Sequence, residues 1–242
     1  MGNIKIFNDI YKLSRAAAEQ FVTLTQFAIA ERGRFSVALS GGGTPESLYA
    51  LLATEAYANR VEWSKVHVFW GDERCVPPTH TESNYRMAKY ALLDRVRFPE
   101  GNIHRVKGEL TPQKAADLYD QELHSFFGDT PRFDLIFLGM GDDGHTASLF
   151  PGTEGLQETK HWAVPVHAEH LNSWRITLTL PVINQAAHIT FLVTGEKKAK
   201  RVHEIFEGTP ESLLPVQQVN PVDGQLVWLL DSEAASMLEK TK

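Results

Sequence analysis

The stretch Phe133–Gly144, FDLIFLGMGDDG, sets the pattern of the chain: an apolar run, then glycine, then polar residues. A run that is continuously apolar is typical of a strand buried on both faces of a parallel sheet. The same order, followed each time by a helical pattern, recurs at three other places: Phe35–Leu39 before SGGGTP, Val66–Trp70 before GDER, and Ile189–Val193 before TGEKK. These four units predict an α/β fold.

Amphipathic and apolar stretches complete the predicted fold. Residues 13–32 and 112–127 are predicted helices, and so is the segment HTASLF at 145–150. Four stretches are predicted outer strands: Lys5–Phe7, Trp162–Val166, Arg175–Leu178 and Gln225–Leu229. We therefore expect a single domain over residues 1–242, with a doubly wound, mainly parallel, Rossmann-like sheet and helices on both faces. Segments 74–84 and 151–174 are predicted to be long functional loops.

Composition narrows the class of protein. The 24 Lys and Arg residues against 30 Asp and Glu give a formal charge of −6, which disfavours a nucleic-acid or anionic-membrane binder. The lone Cys75 excludes an internal disulfide and fits a reducing, cytoplasmic setting. We find no apolar window long enough to span a membrane and no secretory signal pattern in the first residues. An anionic ligand would need a local cluster of positive groups.

Metal and thiol chemistry are not expected. His161, His167 and His170 are clustered in the sequence, but no cysteine accompanies them, so no metal site is predicted. Cys75 adjoins Arg74 but lacks a neighbouring base in the sequence, and we interpret it as an ordinary thiol.

The glycine-rich loop Ser40–Pro45 follows a predicted strand and opens a predicted helix. Ligands of open parallel sheets bind outside the carboxyl ends of the strands, where this loop and the loops of the other units should meet. Its glycines let backbone N–H groups approach an anion, with Thr44 as N-cap and Pro45 as the first helical residue. We predict that an anion or a sugar contacts Ser40, Gly41, Gly42, Gly43 and Thr44. No Gly-Lys-Ser/Thr follows, so the loop is not a nucleotide P-loop.

The second glycine loop, Gly139–Gly144, matches the dinucleotide pattern G-x-G-x-x-G, but two carboxylates would face the pyrophosphate. A dinucleotide site is therefore disfavoured. His145 directly follows this loop, and histidine titrates near neutral pH, which suits a general base. At the start of the predicted helix, the imidazole would be favoured in its neutral, basic form.

Positive side chains follow or adjoin several predicted strands. Arg74 ends GDER and can bind a phosphate bidentately, while Lys197 and Lys198 begin a predicted helix, where cations are unfavourable unless an anion compensates. Arg175 is a third positive candidate. Asp72 or Glu73 could hold a sugar hydroxyl or orient a histidine. These groups predict a phosphate site in an otherwise acidic protein.

Taken in order, the loops resemble the 6-phosphogluconolactonase family. The stretches that carry the resemblance are SGGGTPESLY, VFWGDERCVPPTHTESNYRMA, FDLIFLGMGDDGHTASLFPGT, RITLTLP and VTGEKKAK, between about residues 6 and 230. The family is similar in fold to glucosamine-6-phosphate deaminases and isomerases, which share a shorter GxGxDGH motif. The continuation TASLFP at residues 146–151 favours the lactonases.

The resemblance implies hydrolysis of 6-phospho-D-glucono-1,5-lactone in the oxidative pentose phosphate pathway, without a metal or other cofactor and without an evident protein partner. It makes His145 the base and Arg74 and Lys198 the phosphate ligands, and it places the Gly41–Gly43 loop on the substrate. Lys198 is preferred to Lys197 on the family's Gly-x-x-Lys spacing.

In the mechanism that follows, neutral His145 takes a proton from the water that attacks C1, and Asp143 or Asp72 orients the imidazole. Two alternatives stay open: a sugar-phosphate isomerase or amino-sugar deaminase, and a non-catalytic sugar-phosphate sensor.

Overall fold

The computed structural model describes residues 2–208 and 213–239 of the chain. The strands are β1 Asn3–Phe7, β2 Phe35–Leu39, β3 Val66–Trp70, β4 Asp72–Arg74, β5 Leu135–Leu138, β6 Ala163–Ala168, β7 Ser173–Leu178, β8 His188–Val193 and β9 Gln225–Asp231. The helices are α1 Ile10–Arg32, α2 Gly43–Leu52, α3 Glu55–Ala58, α4 Asn84–Ala88, α5 Pro112–Phe127, α6 Leu180–Asn184, α7 Ala199–Phe206 and α8 Pro215–Gln218.

A parallel sheet runs through the core, in the order β1-β9-β8-β5-β2-β3, with every neighbouring pair parallel. Strands β2 and β5 are buried at every position, as their continuous apolar runs predicted. The predicted α/β fold with a mainly parallel, doubly wound sheet is confirmed. Between β2 and β5 the direction of winding reverses, so the loops after these strands diverge and leave a crevice at their carboxyl ends.

A second, antiparallel sheet of order β4-β7-β6 was not predicted. The stretches 162–166 and 175–178 are strands, but the prediction that they extend the main sheet was wrong. Segment 151–174, predicted as a loop, contains β6. The missed partner is β4, whose three charged residues carry no apolar pattern. This sheet places Arg74 directly opposite Arg175, which has consequences for the functional site.

The segment HTASLF is not a helix, which corrects our prediction. Ala147 has a left-handed backbone (φ 49°), which a right-handed helix does not allow. The Thr146 hydroxyl donates to the Gly139 carbonyl over 2.9 Å, and Thr146 forms an antiparallel bridge with Leu149. His145 therefore does not begin a helix, and the expected influence of a helix terminus on its imidazole is absent.

The start of α2 also differs from the prediction. Its N-cap is Gly42, whose φ of 104° suits a glycine, and Thr44 and Pro45 lie in the first turn. The Thr44 hydroxyl instead shares a 2.7 Å hydrogen bond with the hydroxyl of Thr194, just after β8. Thr44 thus links the loop after β2 to the loop after β8 instead of capping the helix.

Three titratable side chains form a hydrogen-bonded chain between β3 and α5. His67 Nδ1 lies 3.0 Å from His104 Nε2, and His104 Nδ1 lies 2.6 Å from Glu122 Oε1. Burial, with the positive charges of His104 and Arg34 adding to it, lowers the pKa of His67 to about 4. The folded protein therefore keeps His67 neutral at pH values where a free histidine is protonated.

We expect this neutral His67 to destabilise the protein as the pH falls. Between about pH 6.5, the ordinary histidine value, and pH 4, the unfolded chain takes up a proton that folded His67 refuses, so the free energy of unfolding decreases. Urea unfolding at pH 7 and pH 5 measures this loss. His67→Phe, which can keep the ring contact with Phe126, should lose less stability than the wild type. Equal losses in both proteins would contradict the assignment to His67.

Candidate active site

Loops that follow β2, β3, β5 and β8 line one cleft of about 250 Å³. A larger depression of about 460 Å³ lies around Arg32 and Asp134, but these two residues already form an ion pair. The smaller cleft gathers residues from all four glycine-containing loops that the sequence singled out. Its lining consists of Ser40, Gly41, Asp72, Arg74, Asn84, Gly139, Met140, Gly141, His145, Ala147, Arg175 and Lys198.

His145 and Asp143 form a hydrogen-bonded pair beside the cleft. The Asp143 Oδ1 atom lies 2.6 Å from His145 Nδ1 and also accepts the backbone N–H of His145 over 3.0 Å. Burial raises the pKa of Asp143, but the backbone hydrogen bond, the charge and the ring hydrogen bond of His145 outweigh it and lower the pKa overall. Asp143 is therefore an ionised acceptor that fixes the imidazole.

The imidazole of His145 is held on its other sides as well. Its ring lies 4.4 Å, centroid to centroid, from the buried ring of Phe150. The backbone carbonyl of His145 accepts the backbone N–H of Gly141 over 2.9 Å, which fixes the chain that carries the ring. A Cβ atom at Gly141 would lie 2.1 Å from His145 Nδ1, so this glycine is required for the ring to pack against the loop.

Asp72 is the second carboxylate of the cleft, and it has different partners. It is 7% exposed, and its Oδ2 accepts the Ser148 hydroxyl over 2.7 Å. The Asn84 amide donates to the Asp72 carbonyl over 2.9 Å and lies 3.4 Å from Oδ1. Of the two carboxylates proposed to orient the imidazole, Asp143 makes that contact, while Asp72 is fixed toward the cleft by its neighbours.

Glu73 does not line the cleft. Its carboxylate accepts the backbone N–H groups of Arg74, Asn84 and Tyr85 and the hydroxyl of Ser83, all within 2.7–3.0 Å. Burial raises the pKa of Glu73, and these hydrogen bonds oppose that effect. The Glu73 carboxylate is thus occupied by four hydrogen bonds, three of them from Ser83, Asn84 and Tyr85 at the start of α4, and the structure lends its suggested contact with a sugar or a histidine no support.

Arg74 and Arg175 face each other across β4 and β7. The Nε atoms of both side chains are buried and have no hydrogen-bond partner among the described residues. Burial first, and then the charge of Arg74, lower the pKa of Arg175. Arg74 also donates from Nη1 to the Glu82 carbonyl, so the unpaired donors are the two Nε groups. The like charges of the two guanidinium groups repel each other, and an anion beside them would reduce that repulsion.

Lys198 supplies a third cation to the cleft, and Lys197 does not. The Lys198 side chain is 25% exposed and forms an ion pair with Asp142, while Lys197 is exposed and outside the lining. The structure thus places Lys198, the lysine preferred from the sequence, in the cleft lining and Lys197 outside it.

The glycine-rich loop contributes only its beginning. Ser40 and Gly41 line the cleft, while Gly42, Gly43 and Thr44 lie outside the lining. The Ser40 hydroxyl is buried without a hydrogen-bond partner among the described residues, as are the Nε groups of Arg74 and Arg175, and all three belong to residues of the cleft lining. At Gly41 a Cβ atom would lie 1.9 Å from the Asn84 amide oxygen, which explains the glycine.

Sequence reasoning gave no site role to six contributors. Five of them line the cleft, Asn84, Gly139, Met140, Gly141 and Ala147, and the sixth, Ser148, supports Asp72. Ala147 and Ser148 were missed because residues 145–150 were predicted to form a helix. Asn84 begins α4 after a long loop and carried no signal.

The Cys75 side chain is half-buried. Burial raises the pKa of Cys75 to about 11, so the thiolate is disfavoured. Among residues 2–208 and 213–239, no group of three or more His, Cys, Asp or Glu side chains is arranged to hold a metal ion.

In the described part of the chain, every helix is too short or too polar to cross a membrane.

Known proteins are similar to this chain in both sequence and fold. The family model for glucosamine-6-phosphate isomerases/6-phosphogluconolactonase matches residues 8–228. A 6-phosphogluconolactonase of Synechocystis sp. is 45% identical over 218 residues, covering 87% of this chain and 88% of that protein. One of Nostoc sp. is 41% identical, covering 97% and 98%. The structure of 6-phosphogluconolactonase from Trypanosoma cruzi is 30% identical with a TM-score of 0.88, covering 98% and 97%.

The sheet, with its cleft at the point of reversed winding, defines a Rossmann-like α/β protein. The chain belongs to the glucosamine-6-phosphate isomerase/6-phosphogluconolactonase family. The resemblance read from the loops is thereby confirmed.

Proposed function

We propose that the chain hydrolyses 6-phospho-D-glucono-1,5-lactone to 6-phosphogluconate, a step of the oxidative pentose phosphate pathway. The observation that carries this proposal is one cleft in which a carboxylate-held imidazole stands near three cations, Arg74, Arg175 and Lys198. A base suits water activation and a cation cluster suits a phosphate. The names of the relatives, at up to 45% identity, support the same reaction.

The Asp143–His145 pair defines the proton path. Because the Asp143 carboxylate accepts a hydrogen bond from Nδ1, that nitrogen carries the proton and Nε2 offers its lone pair. Nε2 takes a proton from water as the water oxygen attacks C1 of the lactone. When the bond between C1 and the ring oxygen breaks, the imidazolium returns the proton to that oxygen. The attack places a negative charge on the carbonyl oxygen, and the double bond from C1 to that oxygen re-forms as the ring oxygen leaves. The product is the open-chain acid, which ionises to the gluconate.

The cations position the substrate at a distance from the reacting carbon. Arg74 and Arg175 have unpaired buried Nε donors, so an incoming phosphate both relieves their repulsion and satisfies their hydrogen bonds. A phosphate held there fixes the lactone ring beside His145, and this orientation contributes to the rate. We assign Asp72, anchored by Ser148, and the loop start at Ser40 and Gly41 to contacts with the sugar.

The decisive experiment follows lactone decay at neutral pH with and without the protein, after subtraction of spontaneous opening. We expect decay that is proportional to protein concentration and saturates with substrate. Decay equal to the blank, together with binding of 6-phosphogluconate, would instead support a sugar-phosphate sensor.

A deaminase is the second candidate because a buried carboxylate, Asp72, lies in the cleft and could transfer protons between carbons. The hydrogen bonds from Ser148 and Asn84 to this residue favour a fixed binding role instead. Incubation with glucosamine 6-phosphate separates the two functions. We expect no enzymatic release of ammonia, and rapid release would overturn the hydrolase proposal.

A cytoplasmic location, a single catalytic domain and the lack of protein, nucleic-acid or membrane partners stay predictions.

A further inference from the structure

Asp142 lies on the loop that carries Asp143 and His145, and its carboxylate pairs with the ammonium of Lys198. The two side chains differ in burial: Asp142 is 71% exposed, whereas Lys198 is 25% exposed and belongs to the cleft lining. The anion that Lys198 holds in this structure is therefore a solvated side chain of the protein itself.

We propose that Asp142 is an internal competitor for the phosphate of the substrate, so that it sets the affinity of the cleft for phosphorylated ligands. The inference rests on the function proposed above and adds to it a specificity-determining residue outside the cleft lining. For the ammonium of Lys198 to reach a phosphate, its bond to Asp142 must weaken or break. The free energy needed to break the ion pair is therefore lost from the free energy of substrate binding.

The exposure of the Asp142 side chain determines how strongly it competes with a phosphate for Lys198. Ion pairs that involve a solvated carboxylate are weak, because water screens the attraction and the side chains lose entropy. A phosphate dianion with Arg74 and Arg175 beside it therefore displaces Asp142 readily. Removal of the competitor should strengthen phosphate binding by about 2–5-fold, the equivalent of one exposed ion pair.

The loop does not depend on this ion pair for its position. Arg201 on α7 donates from Nε to the backbone carbonyl of Asp142 over 2.9 Å, and its Nη1 is held by Glu204. A change confined to the Asp142 side chain leaves that contact in place. Asp142→Asn therefore tests the charge without releasing the segment that carries the base.

The experiment measures kcat and KM of Asp142→Asn with the phosphorylated lactone and with glucono-1,5-lactone. We expect KM for the phosphorylated lactone to fall about 2–5-fold with kcat little changed, and no comparable change with the unphosphorylated lactone. The control is Asp129→Asn, which changes an exposed carboxylate on the amino-terminal side of β5, whereas the cleft lies at the carboxyl ends of the strands. It makes the same change in net charge and should leave both substrates unaffected. An unchanged or higher KM in Asp142→Asn would overturn the proposal.

A second arm separates competition at Lys198 from general repulsion between Asp142 and a phosphate. In the Lys198→Ala background a competitor has nothing to compete for, so Asp142→Asn should have almost no further effect. If the same gain persists without Lys198, Asp142 acts by long-range repulsion and the proposal is wrong.

Direct titration with inorganic phosphate makes the inference independent of turnover. Phosphate should bind Asp142→Asn more tightly than wild type by the same 2–5-fold. If wild type does not hydrolyse the lactone and phosphate binding still shows this gain, the proposed function fails while the competition stands. If hydrolysis is found and phosphate binds both proteins equally, the function stands and the competition fails.

Discussion

His145→Ala should lower kcat for lactone hydrolysis by about 10²–10⁴-fold, the usual contribution of a positioned general base. Substrate binding should change little, because the three cations of the cleft are intact. The Nδ1 hydrogen bond to Asp143 supports this expectation, since it leaves Nε2 as the free basic nitrogen. Steady-state kinetics, corrected for spontaneous opening of the lactone, measure the effect.

The control for this variant is His124→Ala on α5, which removes an imidazole that stacks on Trp162 instead of lining the cleft. It should keep wild-type kcat. A His145→Ala protein that retains most of its turnover would remove His145 from the mechanism and direct attention to Asp72 as the base.

Arg74→Ala and Lys198→Ala should act on binding more than on chemistry. Each removes a charge-assisted contact to phosphate, about 1.5–3 kcal/mol, or roughly 10–150-fold in kcat/KM. The loss should fall mainly on KM if the phosphate is held equally in the ground and transition states. Lys198→Ala should lie toward the lower end of this range, because Lys198 gives up its pair with Asp142 when it binds substrate.

Unphosphorylated glucono-1,5-lactone provides the control for this cation cluster. Wild type should already be poor with it, and Arg74→Ala or Lys198→Ala should cost almost nothing further. Arg15→Ala, at an exposed position of α1 outside the cleft lining, should match wild type with both substrates. Equal losses on the two lactones would show that Arg74 and Lys198 do not bind the phosphate, leaving Arg175 as the next residue to test.

Much of the main sheet could be predicted because strands β2, β3, β5 and β8 are almost entirely buried, so their sequences are continuous apolar runs. The predicted bounds of Phe35–Leu39 and Val66–Trp70 are those observed. The second sheet could not be predicted in this way. Strand β4 consists of Asp72, Glu73 and Arg74, and its pairing with β7 depends on tertiary contacts that no local pattern records.

The candidate site was predicted to the level of loops but not of atoms. Placement at the carboxyl ends of the strands brought Ser40, Arg74, His145 and Lys198 into one cleft. The apposition of Arg74 with Arg175 required the antiparallel pairing. The helix expected at HTASLF failed because a small apolar residue, Ala147, adopts a left-handed backbone for which alanine carries no sequence signal.

The left-handed backbone of Ala147 links the stability of the protein to its activity at this position. An alanine in this conformation costs about 1–2 kcal/mol, which neighbouring contacts such as the Thr146–Gly139 hydrogen bond must offset. Ala147→Gly would relieve this strain, yet glycine would also give more freedom to the segment between His145 and Ser148, the two residues that define the base and support Asp72. Selection for thermal tolerance alone would therefore accept a change here that selection for turnover would reject.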